Sequence, residues 1–204
     1  MNIWFTSDWH FGENRFNILQ RPFTDPEEHC EILVKNYNSL VKEEDLVYVL
    51  GDVFYEKSDV NHYEKYLRKL NGRKTLIKGN HDRKIKNEVF SKYFNKIVED
   101  GEGIDVEILG EKFYLTHYPS TGKLDIFNLV GHVHAAWKVQ TNCLNVGVDV
   151  NFLYPMPLTT ISFYKNAVMN FYDSDTFAAY LPVNNNFKSR AAKPGYANNL
   201  ETHK

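Results

Sequence analysis

Cysteine is scarce in this chain: two residues among 204, Cys30 and Cys143, with no Cys-x-x-Cys pair. That excludes a disulfide scaffold and a thiolate zinc site, and it reads as reduced thiols in a cytoplasmic protein. Long apolar runs are missing too. None nears the ~20 residues of a membrane span, and the opening Met-Asn-Ile-Trp-Phe-Thr-Ser-Asp turns polar too soon for a signal peptide. The expectation is a soluble protein with no membrane partner. Charge of one sign is also lacking: 24 Lys and Arg against 26 Asp and Glu give a net charge of −2. No general field therefore draws in nucleic acid or anionic lipid, although a local basic groove stays open. There is no internal repeat, and nothing specifies an oligomeric state.

What the sequence does have is apolar material, 43% with 15% aromatic, enough for one globular core. Residues 1–181 read as one domain. The Asn-, Lys- and Ala-rich stretch from 182 to 204 reads as a loose polar tail. Ile3 to Thr6 predicts a strand. Asp25-Pro26-Glu27-Glu28 starts a helix, with a cap, a proline at the first turn and acids beside the helix N-terminus. Leu46 to Leu50 is unbroken apolar, as a strand buried on both faces must be. Ser58 is placed to cap the next helix, which Asn71-Gly72 ends, and Thr75 to Ile77 is a third strand. Later, Ile104 to Leu109 alternates, Gly110-Glu111 turns, and Phe113 to Thr116 returns; Phe127 to Val130 and Leu144 to Val148 follow. Strand–helix alternation first and strand–strand succession later predict an α/β fold of two mixed sheets with helices outside.

Five polar clusters punctuate these strands: Asp8-Trp9-His10, Gly51-Asp52, Gly79-Asn80-His81-Asp82, His117, and Gly131-His132-Val133-His134. Each follows its strand, and in open α/β sheets functional loops gather beyond the strands' carboxyl ends. Parallel strands would bring Asp8, His10, Asp52 and Asn80 to one edge, and the later histidines join if their strands point the same way. Carboxylate and imidazole without thiolate suit Mn, Fe, Zn, Co or Ni; an all-oxygen Ca or Mg cage would not need the histidines. Asp52, alone on its loop, is placed to bridge two cations.

Taken in order, D-x-H, G-D, G-N-H-D, a lone His before Tyr-Pro, and G-H-x-H resemble the calcineurin-like metallophosphoesterases, over residues 1 to about 155. Asn145-Val146-Gly147-Val148-Asp149 is similar to the small bacterial and phage members. The resemblance implies a four-layer αββα sandwich and two divalent metal ions, manganese first, with iron, zinc, nickel or cobalt as alternatives. It implies that Asp8, His10 and His134 hold one metal, that Asn80, His117 and His132 hold the other, and that Asp52 bridges them. His81 would face the substrate as general acid, its imidazole oriented by Asp82. The implied reaction is phosphate-ester hydrolysis by in-line attack of a hydroxide between the metals, on a phosphodiester or nucleotide-type substrate, with nucleic acid among the candidates. One position departs from the pattern: Glu13 stands where small relatives often carry histidine.

The alternative is a non-catalytic metal-binding scaffold of the same fold. Relatives of that kind typically lose the histidine of G-N-H-D, so His81 speaks for an enzyme. A metallo-β-lactamase-type hydrolase would need an H-x-H-x-D-H run that is absent. Arg15 and Arg83 flank metal loops and are candidates for a second phosphate contact, as is Arg21, although solvated arginine is the plainer reading of each. Trp9, Phe11 and Trp137 border the site as stacking or packing residues. His29 and His62 sit in helices as surface or packing residues, and Asn145 and Asp149 are expected to buttress the last loop.

Overall fold

A computed structural model describes residues 1–170. In chain order the elements are β1 (Ile3–Thr6), α1 (Phe16–Leu19), α2 (Pro26–Leu40), β2 (Leu46–Val49), α3 (Val60–Leu67), β3 (Arg73–Ile77), α4 (Asn87–Phe90), β4 (Lys96–Val98), β5 (Gly103–Ile108), β6 (Glu111–Thr116), β7 (Phe127–Val130), β8 (Val139–Gln140), β9 (Cys143–Asn145), β10 (Met156–Pro157) and α5 (Leu158–Asn170). They build two five-stranded sheets, in the orders β10-β1-β2-β3-β4 and β5-β6-β7-β9-β8. In the first sheet β1 to β4 run parallel and β10 antiparallel; in the second, β6, β7 and β9 run parallel, edged by antiparallel β5 and β8. The expected two mixed sheets flanked by helices are therefore present. The tail from residue 182 lies outside the described residues.

Alternating side chains divide the apolar material into two cores. Trp4, Val47, Val49 and Leu76 face α2 and α3, where Cys30, Leu33, Tyr37, Tyr66 and Leu67 meet them. Phe5, Leu50 and Ile77 point the other way, onto Phe113, Leu115, Leu129 and Leu144 of the second sheet and Leu158 and Ile161 of α5. Each such side chain stabilises by about 1.5–3 kcal/mol on leaving water. The α2 N-terminus forms as its sequence requires: Asp25 accepts from the Glu27 N–H at 2.9 Å, with Pro26 at the first position.

Two local expectations are corrected. Asp59, one residue on from Ser58, caps α3 by accepting from the Asn61 and His62 amides, while the Ser58 hydroxyl donates to the Tyr55 carbonyl. The β5–β6 turn centres on Leu109-Gly110, with Ile108 paired to Glu111. Both central residues are left-handed (φ 51° and 80°), as a two-residue hairpin turn demands, and Leu109 stands exposed at its tip.

Candidate metal centre

All five clusters lie just beyond the carboxyl ends of their strands. Asp8 follows β1, Asp52 follows β2, Asn80 follows β3, His117 follows β6, and His132 and His134 follow β7. Backbone bonds continue the β1–β2 pairing into the loops: the Asp8 N–H donates to Gly51 at 3.0 Å and the His10 N–H to Asp52 at 3.0 Å. A parallel bridge between Ser7 and Gly147 and the Val148 N–H donating to Ser7 join the two sheets at this end. Gly131 lets the last histidine loop come close. A Cβ there would sit 1.9 Å from Ser7 Oγ and 2.7 Å from Asp8 Oδ2.

The side chains converge in two groups that share one carboxylate. Asp52 Oδ2 lies 3.5 Å from His10 Nε2 and 3.4 Å from His117 Nε2. On one side, ligand atoms of Asp8, His10 and His134 fall within 4.8 Å of one another; on the other, those of Asp52, His117 and His132 do. Asn80 Oδ1 is 3.3 Å from His117 Nε2 and 3.0 Å from His132 Nδ1. Gaps of this size are what donors around a common cation about 2 Å away leave between them. Two further facts fit a cation pair. Both ring nitrogens of buried His10 lack any hydrogen-bond partner, a costly arrangement unless something else binds them. And the outer nitrogens of two other rings are fixed: His117 Nδ1 donates to the Leu50 carbonyl at 2.6 Å, and His134 Nδ1 to Asp149 Oδ2 at 2.8 Å. In its neutral form each ring is thereby left with Nε2 as the lone-pair donor a cation would take.

Charge follows the same geometry. Burial drives the Asp52 carboxyl up, but its contacts with His10 and His117 outweigh this and hold it well below the ordinary range. Burial also pulls the His117 ring down, yet its bond to Asp52 and that residue's charge raise it to about 9. His10 is lowered, mainly by burial. His134 is raised, its bond to Asp149 overcoming burial.

His81 is brought to the same place, its ring 4.6 Å from that of His10, and it too has a ring nitrogen within cation-sharing distance of His10 and Asp52. Its tautomer decides what it can do. The Glu56 N–H donates to His81 Nδ1 at 3.2 Å, so Nδ1 holds the lone pair and the ring's proton sits on Nε2. A nitrogen carrying a proton cannot ligate; it can donate. The expected role of Asp82 is corrected here. Its buried carboxylate accepts from the Asp52, Val53 and Gly79 amides at 2.7, 3.0 and 3.1 Å, tying the two loops together, and it makes no hydrogen bond to His81. Burial and the nearby Asp52 charge push Asp82 up to about 7, against the Gly79 and Val53 amides and the His117 charge.

The flanking residues sort differently from expectation. Arg21 is buried, not solvated. It pairs with Asp149 at 2.7 and 2.9 Å, donates to the Asp8 and Trp9 carbonyls at 2.6 and 3.0 Å, and contacts His29 Nε2 at 2.9 Å. Trp9 and Phe11 are core residues, 3% and 1% exposed, so neither can stack on a substrate base. Glu13 is buried, accepts from Arg15, and stands 3.8 Å from His10 Nδ1. Arg15 also lies over the Tyr55 ring, which borders His81. Arg83 is largely exposed and pairs with Asp100, which also accepts from Tyr118 beside His117 and His132. Asn145 buttresses the last loop by donating to the His134 and Trp137 carbonyls. No helix among the described residues is long and apolar enough to cross a membrane.

Comparison with known proteins bears on the family and the fold. A family model described as calcineurin-like phosphoesterase matches residues 1–180. An uncharacterised protein of Methanocaldococcus jannaschii is 33% identical over 172 residues, 78% of this chain and 88% of that protein. The Gene 66 protein of Mycobacterium phage L5 is 39% identical over 82 residues, 40% of each chain. Among solved structures, a protein of unknown function from Aquifex aeolicus superposes with a TM-score of 0.62 at 25% identity, covering 79% of this chain and 98% of that one.

Proposed function

The chain belongs to the calcineurin-like phosphoesterase family, and from that premise we propose that it is a metal-dependent phosphohydrolase acting on a phosphodiester or nucleotide-type substrate. In this reading Asp8, His10 and His134 hold one divalent cation, Asn80, His117 and His132 hold a second, and Asp52 bridges them. The family resemblance puts manganese first as the metal, with iron, zinc, cobalt and nickel behind it. A bound cation pair supplies Lewis acidity, polarising water and offsetting charge on the phosphoryl oxygens.

The protein's own contribution to the chemistry centres on His81. Its Nε2 proton is delivered to the departing oxygen, while the Glu56 amide keeps Nδ1 as the acceptor. A positioned acid of this kind contributes about 10²–10⁴-fold. Asp82 acts one step back, holding the Asp52 and Gly79 backbones in place through its three amide bonds. Arg15, over the Tyr55 ring beside His81, and Arg83, paired with Asp100, are the candidate contacts to further phosphate oxygens. An exposed His132 beside half-buried Asn80, His81 and His134 leaves the site open enough for a diester or nucleotide.

The observation that carries this reading over a non-catalytic scaffold is the Glu56 amide's bond to His81 Nδ1, which leaves Nε2 to donate from a ring packed beside His10. The test is hydrolysis of bis-p-nitrophenyl phosphate and p-nitrophenyl phosphate with Mn²⁺ and with chelator. Turnover of the diester that chelator abolishes is expected, and His81→Ala should keep its metals while kcat falls about 10²–10⁴-fold. Two bound metals with no turnover of either ester would favour the scaffold.

A further inference from the structure

Arg21 and Asp149 lie 128 residues apart in sequence, yet form a two-bond ion pair whose side chains are both 2% exposed. Isolated charges do not enter such a place without cause, because desolvation costs each of them heavily. The pair's other contacts supply the cause. Arg21 donates to the carbonyls of Asp8 and Trp9, so it grips the backbone of the first loop where Asp8 turns left-handed at φ 61°. Asp149 accepts from His134 Nδ1, so it grips the ring of the last loop. One buried pair thus holds both chain segments that carry Asp8, His10 and His134. The other group is held differently: Asp82 ties the Asp52 and Gly79 backbones and His117 is anchored by the Leu50 carbonyl, but the His132 ring meets no such partner, its Nδ1 facing Asn80, itself a ligand candidate.

We infer that the Arg21–Asp149 pair is a positioning clasp that preorganises the cation site of Asp8, His10 and His134, making it the tighter of two unequal sites. The inference rests on the metal-centre reading above. Its physics is ordinary preorganisation: ligands already held in place lose little freedom when the cation arrives. A carboxylate behind a ligating imidazole also fixes its tautomer and raises its basicity, and removing such a partner typically costs about 10–100-fold in metal affinity. Arg21 in turn keeps Asp149 ionised and fixed, so its loss should act through Asp149 and through the freed Asp8 and Trp9 carbonyls.

The experiment is a Co²⁺ titration of metal-free full-length protein, followed by the visible absorption of bound Co²⁺. Wild type should bind two ions in resolved steps. Asp149→Asn should weaken the tighter step by about 10–100-fold and alter its band, leaving the weaker step in place. Because Asp149→Asn strands the Arg21 charge and can unfold the chain, Arg21→Met with Asp149→Leu is the second variant. It removes the buried pair with apolar side chains of similar size and should show the same selective loss. Ile161→Ala, a cavity in the core between the sheets, controls for stability alone and should leave both steps unchanged. Equal affinities, within about twofold, in wild type and the folded clasp variants would overturn the clasp. Absence of Co²⁺ binding in wild type would instead overturn the metal-centre reading.

Discussion

His29 offers a prediction whose sign follows from geometry. Its Nε2 lies 2.9 Å from Arg21 Nη1, and the ring packs between Phe16 and Phe23. A guanidinium only donates, so Nε2 must accept and the ring must be neutral, its proton on Nδ1, which is buried without a partner. Burial first, and the Arg21 charge second, lower the His29 pKa from 6.5 to about 2. The unfolded chain therefore binds a proton that the folded chain refuses throughout that window. Stability is full above about pH 6.5 and falls as pH drops, by about 1.4 kcal/mol per unit, until about pH 2. Between pH 7.5 and 4.5 this one group removes about 3 kcal/mol, a large share of the roughly 5–15 kcal/mol that holds a domain together. The assay is urea unfolding of chelator-treated protein at both values, for wild type and His29→Gln. Glutamine can accept from Arg21 but cannot titrate, so the variant should lose about 2–3 kcal/mol less on acidification. Equal losses in the two proteins would refute both the neutral ring and its contact with Arg21.

Three further outcomes follow from the site. Gly131→Ala drives a methyl into Ser7 Oγ, itself held by a 2.6 Å bond to the Leu50 carbonyl. It should cost about 1–3 kcal/mol in denaturant unfolding and weaken cation binding by displacing Asp8. Asp52→Asn should lower the content of both metals in elemental analysis, because one oxygen lies between His10 and His117; unchanged content would end its bridging role. At His134, where φ is 46°, replacement by Gly should give a metal-free protein about 1 kcal/mol more stable than replacement by Ala. At positions of ordinary backbone the order is reversed, so Ala above Gly at 134 would show the left-handed turn to be relaxed.

The ligand candidates were legible because strands advertise themselves and a polar cluster directly after an apolar run has few places to go. β1, β2 and β3 could be read from Ile3, Leu46 and Thr75 onward, and parallel pairing did the rest. Short strands such as β8 and β10, two residues each, carry no periodicity to read. Arg21 could not be placed, since its meaning lies in Asp149, 128 residues away. A weak signal existed for His29: it stands four residues before Leu33, on the buried stripe of α2 that also holds Cys30, Val34 and Tyr37. The resemblance implies that Asp82 orients His81, whereas the turn aims its carboxylate at three amides. The true partner of His81 is the backbone N–H of Glu56, and a backbone group leaves no trace in residue identity.

Among the described residues, ten that are not glycine adopt positive φ, and five of them are Asp8, His10, Asp52, His132 and His134. That concentration explains why the site sits on two sheets instead of on free loops. Each left-handed residue costs on the order of 1–3 kcal/mol, so five together rival the net stability of a whole domain. Such a cost persists only where surrounding bonds leave no alternative. Here the β1–β2 ladder runs on into the loops through Asp8 and His10, and Ser7 receives the Val148 amide from across the sheets. The residue between each pair is not left-handed: neither Trp9 nor Val133 has a positive φ. Within these two loops the strain falls on the residues whose side chains must turn inward, so there it belongs to the site and not to the turn as such. The two apolar cores offset it, and the Arg21–Asp149 pair fixes it in place at the end where Asp8 and His134 meet.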